Sequence, residues 1–177
     1  MVIGIGGVSN AGKTTLASRL QKQLGHLRVK VLCQDDYAKP INDIPRIRGH
    51  VDWETPESID LAKYYKHILE AQRSHDIVIA EGLFAFCDNH FNRHYDKRIF
   101  LTINKKTFWE RKSKDLRWGR EPDWYIEHIW QSHFRCGVIK VVNDKTLVIS
   151  GDQMVDMDQI LDFLKIEEHI SMYNIRA

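Results

Sequence analysis

One segment constrains this chain more than any other. Gly7-Val-Ser-Asn-Ala-Gly12-Lys13-Thr14 reads G-x-x-x-x-G-K-[ST], with an apolar run at residues 2–6 before it and Leu16, Leu20 and Leu24 at helical spacing after it. A strand must enter this loop and a helix must leave it. The glycines let the backbone curl so that successive N–H groups converge on phosphate oxygens, and the helix start adds the positive end of its dipole. Lys13 neutralises charge on the outer phosphates of a nucleoside triphosphate, and the Thr14 hydroxyl is suited to ligate Mg²⁺. Gly7, Val8, Ser9, Asn10, Ala11, Gly12, Lys13, Thr14 and Thr15 are therefore the expected nucleotide-binding residues.

The remaining chain alternates the same two signals. Strands are expected at residues 2–6, 29–33, 77–80, 98–102 and 146–149. Helices are expected at 12–24, then from Pro56 onward behind an N-cap at Thr55, then near 105–117, 122–135 and 153–169. Strands separated by helices form a parallel sheet covered on both faces, with ligands bound beyond the carboxyl ends of the strands. The 177 residues fit one such α/β domain with a five-stranded sheet. No apolar run approaches the ~20 residues of a membrane span. The start, Met1-Val-Ile-Gly-Ile-Gly-Gly, lacks the basic flank and apolar length of a signal peptide, so a cytoplasmic protein without a membrane partner is expected. Cys33, Cys87 and Cys136 form no C-x-x-C pair, which points to buried thiols rather than zinc ligands or disulfides.

Net charge is only +2, yet residues 105–120 carry an excess of five positive charges. A nucleic-acid-binding surface would be basic more broadly, so this segment suits a small polyanion, or else a solvated helix face. Acids follow two of the strands, at Gln34-Asp35-Asp36-Tyr37 and at Glu81-Gly82, on the ligand edge of the sheet. Phosphoryl transfer uses one acid to accept the proton of the attacking hydroxyl and another to hold the metal shell. The plainer use of such carboxylates is a solvated turn or a cap. A GTPase is set aside: Asn104-Lys105-Lys106-Thr107 carries Thr where the base-reading Asp belongs, and no D-x-x-G occurs. His90 and His94 lie four apart without a carboxylate at metal spacing, and His128 and His133 sit among aromatics as packing residues.

At these residues the sequence resembles the nicotinamide riboside kinases, within the wider uridine kinase and phosphoribulokinase group of P-loop kinases. The resemblance is carried by residues 7–15, Gln34-Asp35-Asp36-Tyr37 with Lys39-Pro40, Trp53-Glu54, and Glu81-Gly82-Leu83-Phe84-Ala85-Phe86. Arg111-Lys112 and the stretch from Trp124 to Trp130 also fit, so the likeness spans about residues 2–165. It implies a P-loop NTPase, nucleoside kinase-like fold as a single domain over 1–177, with a substrate-binding loop at about 34–55 and a lid at about 105–121. It further implies ATP- and Mg²⁺-dependent phosphorylation of the ribose 5′-hydroxyl of a nucleoside. Asp35 is then the proton acceptor, beside the metal with Thr14 and Glu81; Arg111 contacts ATP and Lys112 the nucleoside. The family often has Arg where this chain has Lys112.

Nicotinamide riboside carries a planar cationic ring, which an aromatic face attracts by ~0.5–2 kcal/mol. Trp53 is expected to supply that face and Glu54 to accept both ribose hydroxyls, with Asp36 and Tyr37 nearby. The lid should supply the opposite wall, through Trp118 or else Trp124. Trp53 as a packing anchor, a uridine or cytidine kinase with a different base pocket, and an ATP-binding regulatory module are the competing readings.

Overall fold

The computed structural model describes residues 1–117 and 119–167; Trp118 and the end of the helix expected at 153–169 lie outside the described residues. Among the described residues, seven strands and five α-helices follow in chain order. The strands are β1 (Val2–Gly7), β2 (Val29–Cys33), β3 (Arg46–Ile47), β4 (His50–Val51), β5 (Ile77–Gly82), β6 (Lys97–Thr102) and β7 (Thr146–Ser150). The helices are α1 (Lys13–Gln23), α2 (Leu61–Gln72), α3 (Lys105–Lys114), α4 (Asp123–Ser132) and α5 (Met157–Leu164). Five strands form one parallel sheet in the order β2-β5-β1-β6-β7. The strand that leads into the phosphate loop is therefore central.

Alternation along each strand divides the core. Ile3, Ile5, Ile77, Ile79, Ile99 and Leu101 face Leu16 and Leu20 of α1, Ile126 and Ile129 of α4, and Ile160 and Leu164 of α5. Val2, Val78, Ala80 and Phe100 face the other way, against Tyr64 and Ile68 of α2 and the aromatic segment after β5. Both sheet faces are covered, and the near-continuous apolar strands follow from that. Among the described residues no helix is long and apolar enough to cross a membrane.

Two expectations need correction. Thr55 and Pro56 do not begin α2; they open a 3₁₀ turn, Pro56–Ser58. Buried Ser58 donates its hydroxyl to Trp53 O and Thr55 O, at 3.1 and 2.7 Å, and holds that turn. The chain then runs extended, with Ile59 paired to Ala38 and Asp60 N donating to Tyr37 O at 2.9 Å. Helical dihedrals resume only after Asp60, whose side chain caps α2 by accepting from Lys63 N. Second, β5 continues through Glu81 and Gly82, so Glu81 is the penultimate residue of its strand rather than part of the loop after it. The polar stretch between β2 and α2 also contains the short antiparallel hairpin β3–β4.

Candidate active site

The phosphate loop has the backbone its glycines permit. Gly7 sits at φ +146° with Leu101 O only 2.4 Å from where a Cβ would stand, and Gly12 caps α1 at φ +98°. Val8 and Ala11 turn into the core and do not line the cavity, whereas Ser9, Asn10 and Thr15 do. Lys13 is 9% exposed and donates to Val8 O at 3.0 Å, within the loop. Burial lowers its pKa, and the negative groups around it, Glu81 first and then Asp35 and Glu54, oppose that shift.

The acids converge on the same place. Thr14 Oγ1 donates to Glu81 Oε1 at 2.7 Å. Asp35 reaches the site through its neighbours: buried Gln34 accepts from Phe84 N at 2.8 Å, tying the turn after β2 to the end of β5. Gly82 lets that contact form, since a Cβ there would stand 2.3 Å from Gln34 Cβ. Tyr37 anchors the other end of the turn against Tyr64, with its hydroxyl 2.9 Å from His67 Nδ1. Lys13, Thr14, Asp35, Glu81, Arg111 and Arg117 line one cavity of about 550 Å³. Asp36 is exposed and Tyr37 is packed inward, and neither lines it.

The basic segment splits between two sides. Arg111 lines the cavity and donates to Asn10 O (3.1 Å) and Gly151 O (2.8 Å), docking α3 on the phosphate loop. Arg117 also lines it, paired with Asp115 at 2.6 Å. Lys112, one residue beyond Arg111 and so turned about the helix, is buried. Its charge acts on Glu54, whose pKa burial pushes up to about 7 against the pull of Lys112 and Lys13. Arg120 is exposed and Lys105 pairs with Glu127.

Trp53 is 36% exposed, beside Glu54. What holds that pair was not legible in the sequence. The Tyr125 hydroxyl donates to Val51 O (3.1 Å) and accepts from Trp53 N (3.0 Å), and His128 Nε2 lies 2.8 Å from Asp52 Oδ1. α4 thus pins the 50–54 strap from below; the one available signal was the aromatic density of 124–130. His128 therefore makes a polar contact to a carboxylate, whereas His133 stacks on Phe100 and burial, aided by Lys13, pushes its pKa down to about 4. Trp124 holds Arg48 over its ring at 5.1 Å.

The sheet order, the cradle and the acids at the carboxyl ends of the strands define a P-loop kinase, nucleoside kinase-like in topology. No family model matches the chain. More particularly, the chain is similar to nicotinamide riboside kinase 1 of Rattus norvegicus, 29% identical with 76% of each chain covered, and to the Homo sapiens protein of that name, 28% identical over 76% of this chain and 75% of that one. It is also similar to the uridine kinase of Deinococcus deserti, 28% identical over 75% of this chain and 79% of that one. The resemblance read from the sequence thus stands. Among solved structures, a sugar kinase from Janibacter sp. HTCC2649 superposes with TM-score 0.61 at 19% identity, covering 93% and 94% of the two chains. Shikimate kinase from Bacteroides thetaiotaomicron gives 0.56 at 18% identity, covering 97% and 98%, and both share the fold alone.

Proposed function

We propose that the chain transfers the γ-phosphoryl group of ATP to the ribose 5′-hydroxyl of a nucleoside, nicotinamide riboside giving nicotinamide mononucleotide. The observation that carries this reading is Asp35 sharing one cavity with Lys13, Thr14 and Glu81, while Glu54 lies within the electrostatic reach of Lys13 and Lys112. A phosphate cradle and a separate half-buried carboxylate are what a donor and a hydroxylated acceptor need side by side.

Thr14, Glu81 and Asp35 offer hard oxygen donors and fit Mg²⁺, which takes few protein ligands and completes its shell with water and phosphate. Mg²⁺, when bound there, neutralises charge on the phosphates. Asp35 accepts the proton of the 5′-hydroxyl at its carboxylate, and Lys13 and Arg111 stabilise the charge of the transferring group. The segment 105–121 serves as the lid that brings Arg111 and Arg117 over the phosphates. Glu54 accepts the ribose 2′- and 3′-hydroxyls, and Trp53 presents its face to the cationic ring.

The test is ADP formation with a panel of nucleosides, using the native chain and Trp53→Ala. Turnover should depend strictly on added nucleoside, and Trp53→Ala should raise KM for nicotinamide riboside with the fold retained. A higher kcat/KM for uridine would move the assignment to the uridine kinase reading that the Deinococcus relative favours. No nucleoside-dependent ADP at all would leave an ATP-binding regulatory module.

A further inference from the structure

We propose that a second cavity, at the amino ends of β6 and β7, is a binding site for a hydroxylated phosphate monoester of about sugar-phosphate size. It lies at the opposite end of the sheet from the phosphate loop. Three residues of β6, or ~10 Å at 3.3 Å per residue, separate Arg98 from Leu101, which packs on Gly7. Its volume is about 360 Å³, the small end of the range for ligand pockets.

The lining argues for the ligand. Arg93, Arg98 and Lys145 bring three cationic side chains, and Asn89, Asn92 and Asn143 bring amides. Arg98 is only 7% exposed, yet among the described residues no carboxylate bonds to it. One arm donates to Asn143 Oδ1 at 2.8 Å, while its buried Nε has no partner. Asn143 is itself committed, since its Oδ1 also accepts from Lys145 N and Thr146 Oγ1. The guanidinium is thus held in place by a turn with a donor left over. Burying a cation in this way is costly unless an anion meets it. Burial accordingly lowers the Arg98 pKa, with Asp144 the carboxylate that opposes the shift.

A second orphan lies beside the same cavity. Asn92 Nδ2 donates to Phe86 O at 3.0 Å, which fixes the amide orientation, and its buried Oδ1 has no partner. Arg98, a cation held in place without a carboxylate on it, and Asn92, an amide, both line the cavity, and their two orphan atoms lie just beneath its wall. A ligand that suits this lining of guanidinium, ammonium and amide groups carries an anionic oxygen and a hydroxyl. Exposed Lys145 supplies the second positive charge that a phosphate dianion calls for, and Val141 with Tyr95 gives the carbon skeleton an apolar wall.

Calorimetric titration tests this, with ribose 5-phosphate, ribose and inorganic phosphate as probes. The whole chain carries Lys13→Ala so that the phosphate loop competes less for the phosphate group. Ribose 5-phosphate should bind one site about tenfold or more tightly than either other probe, and Arg98→Gln should weaken it about tenfold or more. Lys145→Ala, at an exposed position that leaves the fold intact, should weaken it as well, and amide shifts should fall at residues 92–98 and 143–146. No binding, an unchanged affinity in Lys145→Ala, or shifts confined to residues 7–15 would each overturn the proposal. Inorganic phosphate binding as tightly as ribose 5-phosphate would overturn it too, by removing Asn92 from the site.

Discussion

Glu54→Gln should remove a pH dependence that Glu54 imposes on folding. A carboxyl whose folded pKa stands above its unfolded value binds more protons in the folded state between the two, so stability falls as pH rises through that window. For Glu54 the window runs from the ordinary 4.5 to about 7. At 1.36 kcal/mol per pH unit the ceiling is about 3 kcal/mol, and because Glu54 is only half-buried, water screens part of it, leaving about 1–2 kcal/mol. His133 acts in the opposite sense: burial depresses its pKa to about 4, so its contribution grows as pH rises to its ordinary value near 6.5. Comparing variant with wild type cancels His133 and the other titrating groups they share. Denaturant unfolding from pH 4.5 to 8 should give equal stabilities at the acid end, with Glu54→Gln ahead by about 1–2 kcal/mol at pH 8. A flat difference, or wild type gaining on the variant with rising pH, would mean that Lys112 and Lys13 outweigh burial and would refute the reasoning.

Lys13→Ala should keep its unfolding midpoint but lose on the order of 10²-fold or more in turnover, the effect of removing one preorganised charge; near-normal turnover in the folded variant would defeat the phosphate-loop assignment. Asp35→Asn should suppress kcat far more than it weakens ATP binding, and Asp36→Asn, at an exposed position off the cavity, should be milder; steady-state kinetics that rank them the other way would mean the wrong acid was chosen. Glu81→Gln should raise the Mg²⁺ concentration needed for half-maximal rate, and an unchanged titration would take Glu81 away from the metal. Gly82→Ala should cost about 1–3 kcal/mol by pushing Gln34 off Phe84 N, with a loss under about 0.5 kcal/mol in denaturant unfolding counting against that account.

The phosphate loop and the sheet were legible because both are written in local chemistry. The G-x-x-x-x-G-K-[ST] spacing encodes backbone dihedrals and a helix start within eight residues, and unbroken apolar runs encode strands covered on both faces. Asp35 and Glu81 could be assigned to the ligand edge from their places at strand ends, before any side chain was located. Helix α2 was misread at its start because a Pro at the first helical position also suits a 3₁₀ turn, and what decided between them, the pairing of residues 58–60 with residues 37–39, is a contact across about twenty positions. The strap carrying Trp53 and Glu54 is legible as part of a substrate-binding loop, but its position is not, for the same reason. Its place is set by Tyr125 and His128, more than seventy residues away, and no periodicity reports such a bond. Likewise, adjacent Arg111 and Lys112 belong to one basic run whose roles only the resemblance separates, and it is the helix that turns one onto the cavity and the other toward Glu54. The sequence by itself determined the cradle, the layering of the domain and the acids at its ligand edge, because spacing along the chain carries them. Only the tertiary structure decided which charges meet, and so the raised pKa of Glu54, because burial and Coulomb coupling depend on distances in space that the order of residues does not contain.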